Sequence, residues 1–505
     1  MNVVIAGFSP NDRVPGAYGE VLYGQGAISV GSIPLLLLLV GQMTDDGTAR
    51  TNRDVKTVFS AQQARQYFGG GSQLARMCLA ALSVSGVNIR AIAVAQPDGA
   101  VPAAAKITIG GTWDTNWNFE YRVGGETYAG IISSTDTPAT AAARIASVFN
   151  SEADCPVIAA PANGVVTLTC KCKGAIGNRF ILMDASVLAP GATSVVAGGV
   201  AASGGGVFFG GGVGAEDVTQ VLSTIEPMAF DRIAIGQGDA TNLRRWRAQI
   251  NSQADVLVGI LQHAVCATND TFATAVSLAQ TTLNAERFQV CWQYLGETHP
   301  SELAANMAAL RTQKEQVDPA AAYDGAILAG VAPHSQPGDI PSHMTQVAAL
   351  NSGVTPISTT GDGYAVVVRA ITSHSLRGSI PDYSILDTSD AVVPDYVLKD
   401  LKLTWVTKVA PANPRIGPDP APNERNPPSG VLTPNVWNSI VYGRLKGFEA
   451  GKDLPAPILM RVDDNLPVSS FDAQALRIMT SLRMISAANN HQIGISVRPS
   501  SLAAA

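Results

Sequence analysis

The sequence predicts an α/β protein: a parallel-sheet body with an inserted β-rich domain, a C-terminal α+β domain and extended terminal arms. Three observations carry that prediction. From about residue 220, short apolar runs alternate with amphipathic stretches, the beat of a parallel sheet covered by helices. Between 101 and 210 the texture changes to alternating β-branched and aromatic residues separated by Gly-Gly turns, as in antiparallel strands. Beyond about 390, a Pro- and Asn-rich stretch splits helical sequence from closing extended runs, which marks a further unit.

At 505 residues the chain exceeds a single compact core, so two to four domains are expected. The predicted division is 1–30 as an N-terminal arm, 31–100 as the first part of the body, 101–210 as the insertion, 211–390 as the rest of the body, 391–490 as the C-terminal domain and 491–505 as a C-terminal strand and arm.

The first apolar run, SIPLLLLLV at 32–40, is about half the roughly 20 residues that a bilayer span requires. It also lacks the charged lead and cleavage site of a signal peptide. It therefore reads as a strand buried on both faces, with no membrane insertion. A helical segment near 61–83 follows. In the insertion, KITIGG, FEYRVGGETYAGI and GVVTLTCKCKG read as strands around an alanine-rich helix at 138–149, and the glycine-rich sequences on either side read as flexible linkers.

Downstream, RIAIGQ (232–237), VLVGIL (256–261) and FQVCW (288–292) are predicted strands. Thr241 is the expected cap of a helix through Leu243, Trp246 and Ile250; Ser301 that of one through Leu303, Met307 and Leu310. Thr271 to Leu283 is a third helix, and YAVVVRAIT (364–372) a strand of the same body. Near the end, a helix starts at about Pro434, and ALRIMTSLRMIS and HQIGISVRP are extended.

Charged residues make up 15% of the chain and the net charge is −6, with no long basic run. Direct nucleic-acid binding is thereby disfavoured. So low a charge fraction suits a protein that covers its surface with copies of itself. Six cysteines without a CxxC pair indicate neither a disulfide framework nor a zinc site.

Motifs for chemistry are weak throughout. GGGVGA (210–215) matches GxGxxA, but Asp231 precedes the next strand instead of following it, so a domain hinge is the better reading. GFEAGKD (447–453) has the wrong spacing for a phosphate loop and reads as the end of a helix. No serine lies in GxSxG, and Ser373-His374-Ser375 reads as a surface loop. HExxH is absent, Asp463-Asp464-Asn465 lacks the remaining ligands of a calcium loop, and Cys170 and Cys172 read as packing residues. No catalytic residue, cofactor or metal is expected.

The order of parts, together with VPGAY (14–18), VVTLTCKCKGAIGNRF (165–180) and FDRIAIGQGDATNL (230–243), resembles the tail sheath proteins of contractile-tailed bacteriophages, most closely those of Mu-like phages. The resemblance covers nearly the whole chain. It implies a body that is subtilisin-like in fold without being a protease, and a subunit stacking helically around a tail tube in a virion tail assembled in the host cytoplasm. The partners implied are neighbouring sheath subunits, the tail tube protein, and baseplate and tail terminator proteins. On this reading Val14, Pro15, Gly16, Ala17, Tyr18 and Val21 add as a strand to a neighbour, as do Ile493, Ile495 and Val497 at the other end. An ordinary edge strand of the same domain is the alternative that the residues leave open.

Overall fold

The computed structural model describes residues 35–255, 258–412, 414–420, 430–452, 454–462, 468–472, 477–481 and 484–486. The body begins with β1 (Leu36–Gln42), β2 (Val55–Val58), α1 (Ala61–Phe68), α2 (Gln73–Leu82) and β3 (Asn88–Val94). A second unit follows: β4 (Ala104–Gly111), β5 (Trp117–Val123), β6 (Glu126–Ile132), α3 (Pro138–Ser151), β7 (Val157–Ala162), β8 (Val165–Cys170), β9 (Ile181–Asp184), β10 (Ala192–Ala197) and β11 (Val207–Phe208). The chain then returns to the body with α4 (Thr219–Ile225), β12 (Arg232–Ile235), α5 (Ala240–Gln253), β13 (His263–Thr268), α6 (Phe272–Val276), β14 (Phe288–Trp292), α7 (Pro300–Glu315), α8 (His343–Asn351), β15 (Thr355–Thr359) and β16 (Ala365–Val367). Short ladders of β17 (Leu376–Arg377) with β18 (Ile380–Pro381), and of β19 (Arg415–Ile416) with β20 (Val431–Leu432), lie either side of α9 (Thr388–Thr404). The last elements are α10 (Pro434–Glu449), β21 (Leu459–Val462), β22 (Val468–Asp472), β23 (Arg477–Ser481) and β24 (Met484–Ser486).

The body sheet has the order β2-β3-β1-β12-β13-β14-β15-β16. Its six inner strands are parallel, and β2 and β16 are antiparallel edges. The leucine run shows why β1 is central. Leu37 and Leu39 face the core shared with α1, α2 and α7, while Leu38 and Val40 face the opposite core with α4 and α5. All four are fully buried, and each such side chain contributes about 2 kcal/mol.

The second unit is a pair of four-stranded sheets, β10-β4-β8-β7 and β11-β9-β5-β6. Their shared core includes Phe119, Tyr121, Tyr128 and Phe149, with Trp113 and Trp117 in edge-to-face contact. Cys170 and Cys172 are buried with the other four cysteines, and none forms a disulfide.

Several local expectations are corrected. The described part of VLVGIL, 258–261, does not supply the second strand: Gly259 sits at φ +66° and its N–H closes a turn on Asp255 O, leaving Val258 exposed. The strand is the next segment, His263–Thr268. The caps lie two residues earlier than expected, at Asp239 and His299 instead of Thr241 and Ser301. The helix through Leu303 is buried on every side, not only along its stripe. Of YAVVVRAIT, only Ala365–Val367 is strand. Ser373 and Ser375 are fully buried, and Ser373 Oγ bonds both the N–H and the carbonyl of Ala285, so this loop is not a surface feature. The boundary expected between 390 and 391 falls inside α9.

The expected linkers and glycine hinge also take a different form. Val101 pairs with Val213 and Ala104 with Gly210, each through two backbone hydrogen bonds of 2.8–3.0 Å. Asn178 bonds both the N–H and the carbonyl of Gly212 at 2.9 Å. A Cβ at Gly212 would stand 2.5 Å from Gly174 O. Glycine is required here for close backbone approach, in a bonded two-stranded neck.

Candidate functional site

In open α/β sheets, ligands bind outside the carboxyl ends of the strands where strand order reverses. β1 is flanked by β3 on one side and β12 on the other, so the reversal lies between β1 and β12. A crevice of about 140 Å³ opens there, lined by Ile176, Glu216, Gly236, His299 and Ser301 among others. The Ser301 hydroxyl lies 2.7 Å from His299 Nδ1, the one nucleophile–imidazole pair in this crevice. Ser301 N–H also donates to Nδ1, and Nε2 faces the Ile176 carbonyl at 3.1 Å. The imidazole is thus neutral with its proton on Nε2, and burial pushes its pKa down to about 4. A nucleophilic triad places a carboxylate where Ile176 O stands. Here the pair caps α7 and fastens it to the inserted sheets. Glu216 receives Gln42 Nε2 at 2.9 Å, and burial raises its pKa. Among the described residues no group of three or more His, Cys, Asp or Glu side chains is arranged to hold a metal ion.

The same end of the sheet is covered by the inserted unit along a polar seam. Arg76 on α2 is buried; it forms a paired contact with Glu302 at 2.7 and 3.0 Å and also donates to Gly124 O and Asp154 O of the inserted unit. Three ion pairs cross the seam: Arg65–Asp154, Arg122–Glu297 and Arg179–Asp270. Phe180 packs on the His299 ring at 4.5 Å.

Sheet edges tell a different story at the two ends of the chain. β2 carries Lys56, paired with Asp54 at 3.3 Å and lying over Tyr67; a charged, short edge resists further pairing. The outer edge of β16 is covered by residues 325–328, through bonds from Leu328 N to Ala365 O and from Val367 N to Ala326 O. The C-terminal strands differ. β21 pairs with β24, β22 pairs with β23, and neither pair has a third strand among the described residues. Two-stranded sheets are marginal alone. These rest on α10, with Leu459 and Val462 buried against Leu445 and Phe448, and α9 behind them. Arg444 ties the two helices through a paired contact with Asp400 at 2.7 and 2.8 Å.

Val14, Pro15, Gly16, Ala17, Tyr18, Val21, Ile493, Ile495 and Val497 all lie outside the described residues, as do Asp463 to Asn465. What the structure adds is the pairing of β21 with β24 and of β22 with β23, each two-stranded among the described residues. Sequence reading treated that region only as extended, because edge availability depends on pairing between distant strands. Arg76 and Glu302, 226 residues apart, gave no local signal either.

No family model matches the chain. A Mu-like prophage tail sheath protein of Haemophilus influenzae is 29% identical over 147 residues. That stretch spans 29% of this chain and 30% of the relative. Among solved structures, the contracted helical sheath of the anti-feeding prophage aligns over 96% of this chain and 99% of its own, with a TM-score of 0.50 at 11% identity. A sheath tail protein from Listeria innocua aligns over 90% and 93%, with a TM-score of 0.48 at 10% identity. The mixed α/β fold is that of sheath proteins.

Proposed function

We propose that this chain is the repeating subunit of a contractile tail sheath. It polymerises helically around a tail tube and contracts to drive the tube through a host cell envelope for genome delivery. The observation that carries this reading is the sequence match to the prophage sheath protein. The fold likeness along nearly the whole chain accompanies it. The role is structural, with the body serving as a rigid block and not as an enzyme.

In mechanism, residues 1–30 and 491–505 act as arms that add strands to neighbours, through Val14 to Tyr18 and Val21 at one end and Ile493, Ile495 and Val497 at the other. The two-stranded C-terminal sheets supply the acceptor edges. Each backbone bond contributes about 0.5–1.5 kcal/mol, and repetition over a lattice makes the links collectively strong. Bodies shift between two packings while the arms keep them connected. The tail tube, baseplate and tail terminator are the further partners, and the location is the virion tail, assembled in host cytoplasm. Likeness to the anti-feeding prophage favours a second reading, a phage-derived injection device built from the same kind of subunit.

Electron microscopy of the purified full-length protein tests the polymer. Hollow tubes or stacked rings, alone or with a tube protein as nucleus, are expected. Discrete monomers under both conditions would refute it. DNA-filled heads on native particles would decide between virion and injection device.

A further inference from the structure

One sheet of the inserted unit, β11-β9-β5-β6, ends on β6. β5 and β6 are joined by the two-residue turn Gly124-Gly125, with φ +62° and +81°, so Val123 and Glu126 form a hydrogen-bonded pair. Alternation from that pair makes Glu126, Tyr128, Gly130 and Ile132 bond to β5, while Thr127, Ala129 and Ile131 turn their N–H and carbonyl groups away from it. The far side of β5 agrees with this phase, because Glu120 O and Asn118 O there accept from Ala185 and Val187. Among the described residues, no backbone group bonds the outward N–H and carbonyl groups of β6.

Two other edges of the unit are closed. On β7 the Asn150 side chain takes the carbonyl and the N–H of Ala159 at 2.8 and 2.9 Å, and Pro161 removes a donor. On β11, Phe208 bonds Val200 and Gly199 at 2.8 and 2.7 Å. β6 has no such guard: it contains no proline, no lysine and no bulge, and Thr127, Ala129 and Ile131 are exposed. An edge of this kind is a template for a further strand.

Beside the start of this edge lies a pocket of about 250 Å³, walled by Thr127 and Tyr128, the end of α3 and part of α2. Four carboxylates line it: Glu126, Glu152, Asp154 and Glu302. Asp154 is matched by Arg65 and Glu302 by Arg76. Glu126 and Glu152 are exposed and form no ion pair among the described residues. In an added strand, the residue opposite Tyr128 carries its side chain on the face where Glu126 stands.

We propose that the β6 edge docks an extended segment of a partner protein, with a lysine or arginine opposite Tyr128 placed between Glu126 and Glu152. Backbone bonds to Thr127, Ala129 and Ile131 hold the segment, and the two carboxylates select its charge. The site lies on the inserted unit and does not depend on the arms or on the sheath reading.

The test titrates the purified full-length chain with two fluorescent octapeptides of alternating Thr and Val, one carrying a central Lys and the other a central Glu, followed by anisotropy. The lysine peptide is expected to bind at least about fivefold more tightly at low salt, and the gap should narrow as salt rises. Ala129→Pro removes an outward N–H and leaves the bonds to β5 in place; it should abolish binding of both peptides at an unchanged unfolding midpoint. Should that variant not fold, Glu126→Lys combined with Glu152→Lys, both at exposed positions, carries the test by reversing the preference to the glutamate peptide. Binding of neither peptide overturns the proposal, as does binding that these variants leave unaltered. Slow hydrogen exchange at Thr127, Ala129 and Ile131 in the dilute chain without peptide shows an edge already covered by the chain itself. Self-association that Ala129→Pro abolishes gives the edge to a second copy. Either result overturns the proposal as well.

Discussion

The two ends of the parallel sheet are closed by different means. At the carboxyl end, the inserted sheets meet the body through Arg76, the three seam ion pairs and the bonded neck. At the amino end, α9 meets it around an apolar cavity, with His263–Asp395, Arg287–Asp395 and Lys399–Asp231 at the margin. The carboxyl end, where enzymes of this architecture keep substrate, is bridged by charged groups paired within the chain and keeps a crevice of about 140 Å³ beside them. The amino end keeps a cavity of similar size, about 160 Å³, with a more apolar wall.

The seam should be the costliest place to damage. Arg76→Met leaves Glu302 buried without its cation and should cost about 3–5 kcal/mol in denaturant unfolding, visible as a lower midpoint. Arg444→Ala tests the far side of the comparison. It removes bonds to the buried Asp400 and should cost about 1.5–3 kcal/mol, with faster hydrogen exchange confined to α9 and α10. An equal rise across the inserted sheets would show that the two ends are energetically one unit.

Acid should separate the ends further. Burial, with Arg232 adding to it, pushes the His263 pKa down to about 4 from 6.5 against the pull of Asp395. The unfolded chain then binds the proton more readily. Stability from this group is intact above pH 6.5 and falls between 6.5 and 4, by up to about 1.4 kcal/mol per pH unit. Asp395 and Glu315 beside it are held low by His263 and by arginines despite burial, so they also lose stability as pH falls further. At the seam His299 behaves like His263, but burial raises the carboxyls of Glu302, Glu297 and Glu216. A carboxyl raised in the fold is relieved by acid, which opposes the histidine. Hydrogen exchange at pH 5 should therefore open α9 before the seam. The smallest effect belongs to Arg50→Ala, whose pair with Asp54 is at the surface; no change in unfolding midpoint is expected.

Legibility in the sequence followed the range of the interaction. Strands buried on both faces, such as Leu36–Gln42 and Phe288–Trp292, announce themselves because apolar side chains are needed at every position. His263–Thr268 did not, since its leading histidine is acceptable only with Asp395, 132 residues away, as partner. The apolar VLVGIL drew the strand prediction instead, although its last residues Ile260 and Leu261 serve a cavity wall. The glycine run from 210 to 214 read as freedom, yet Gly212 and Gly214 serve close contact with Gly174 and, for Gly212, Asn178. The interface expected at the arms is a matter between chains, and the sequence could name only the donor side.

The neck keeps the insertion out of the body sheet. β1 is bonded directly to both β3 and β12, the strands that flank the insertion in the chain. The 104–208 unit is an insertion beside that continuous sheet, its incoming and outgoing chains meeting at Ala104 and Gly210. Its outer faces can therefore change in shape or size without altering the register of β3, β1 and β12.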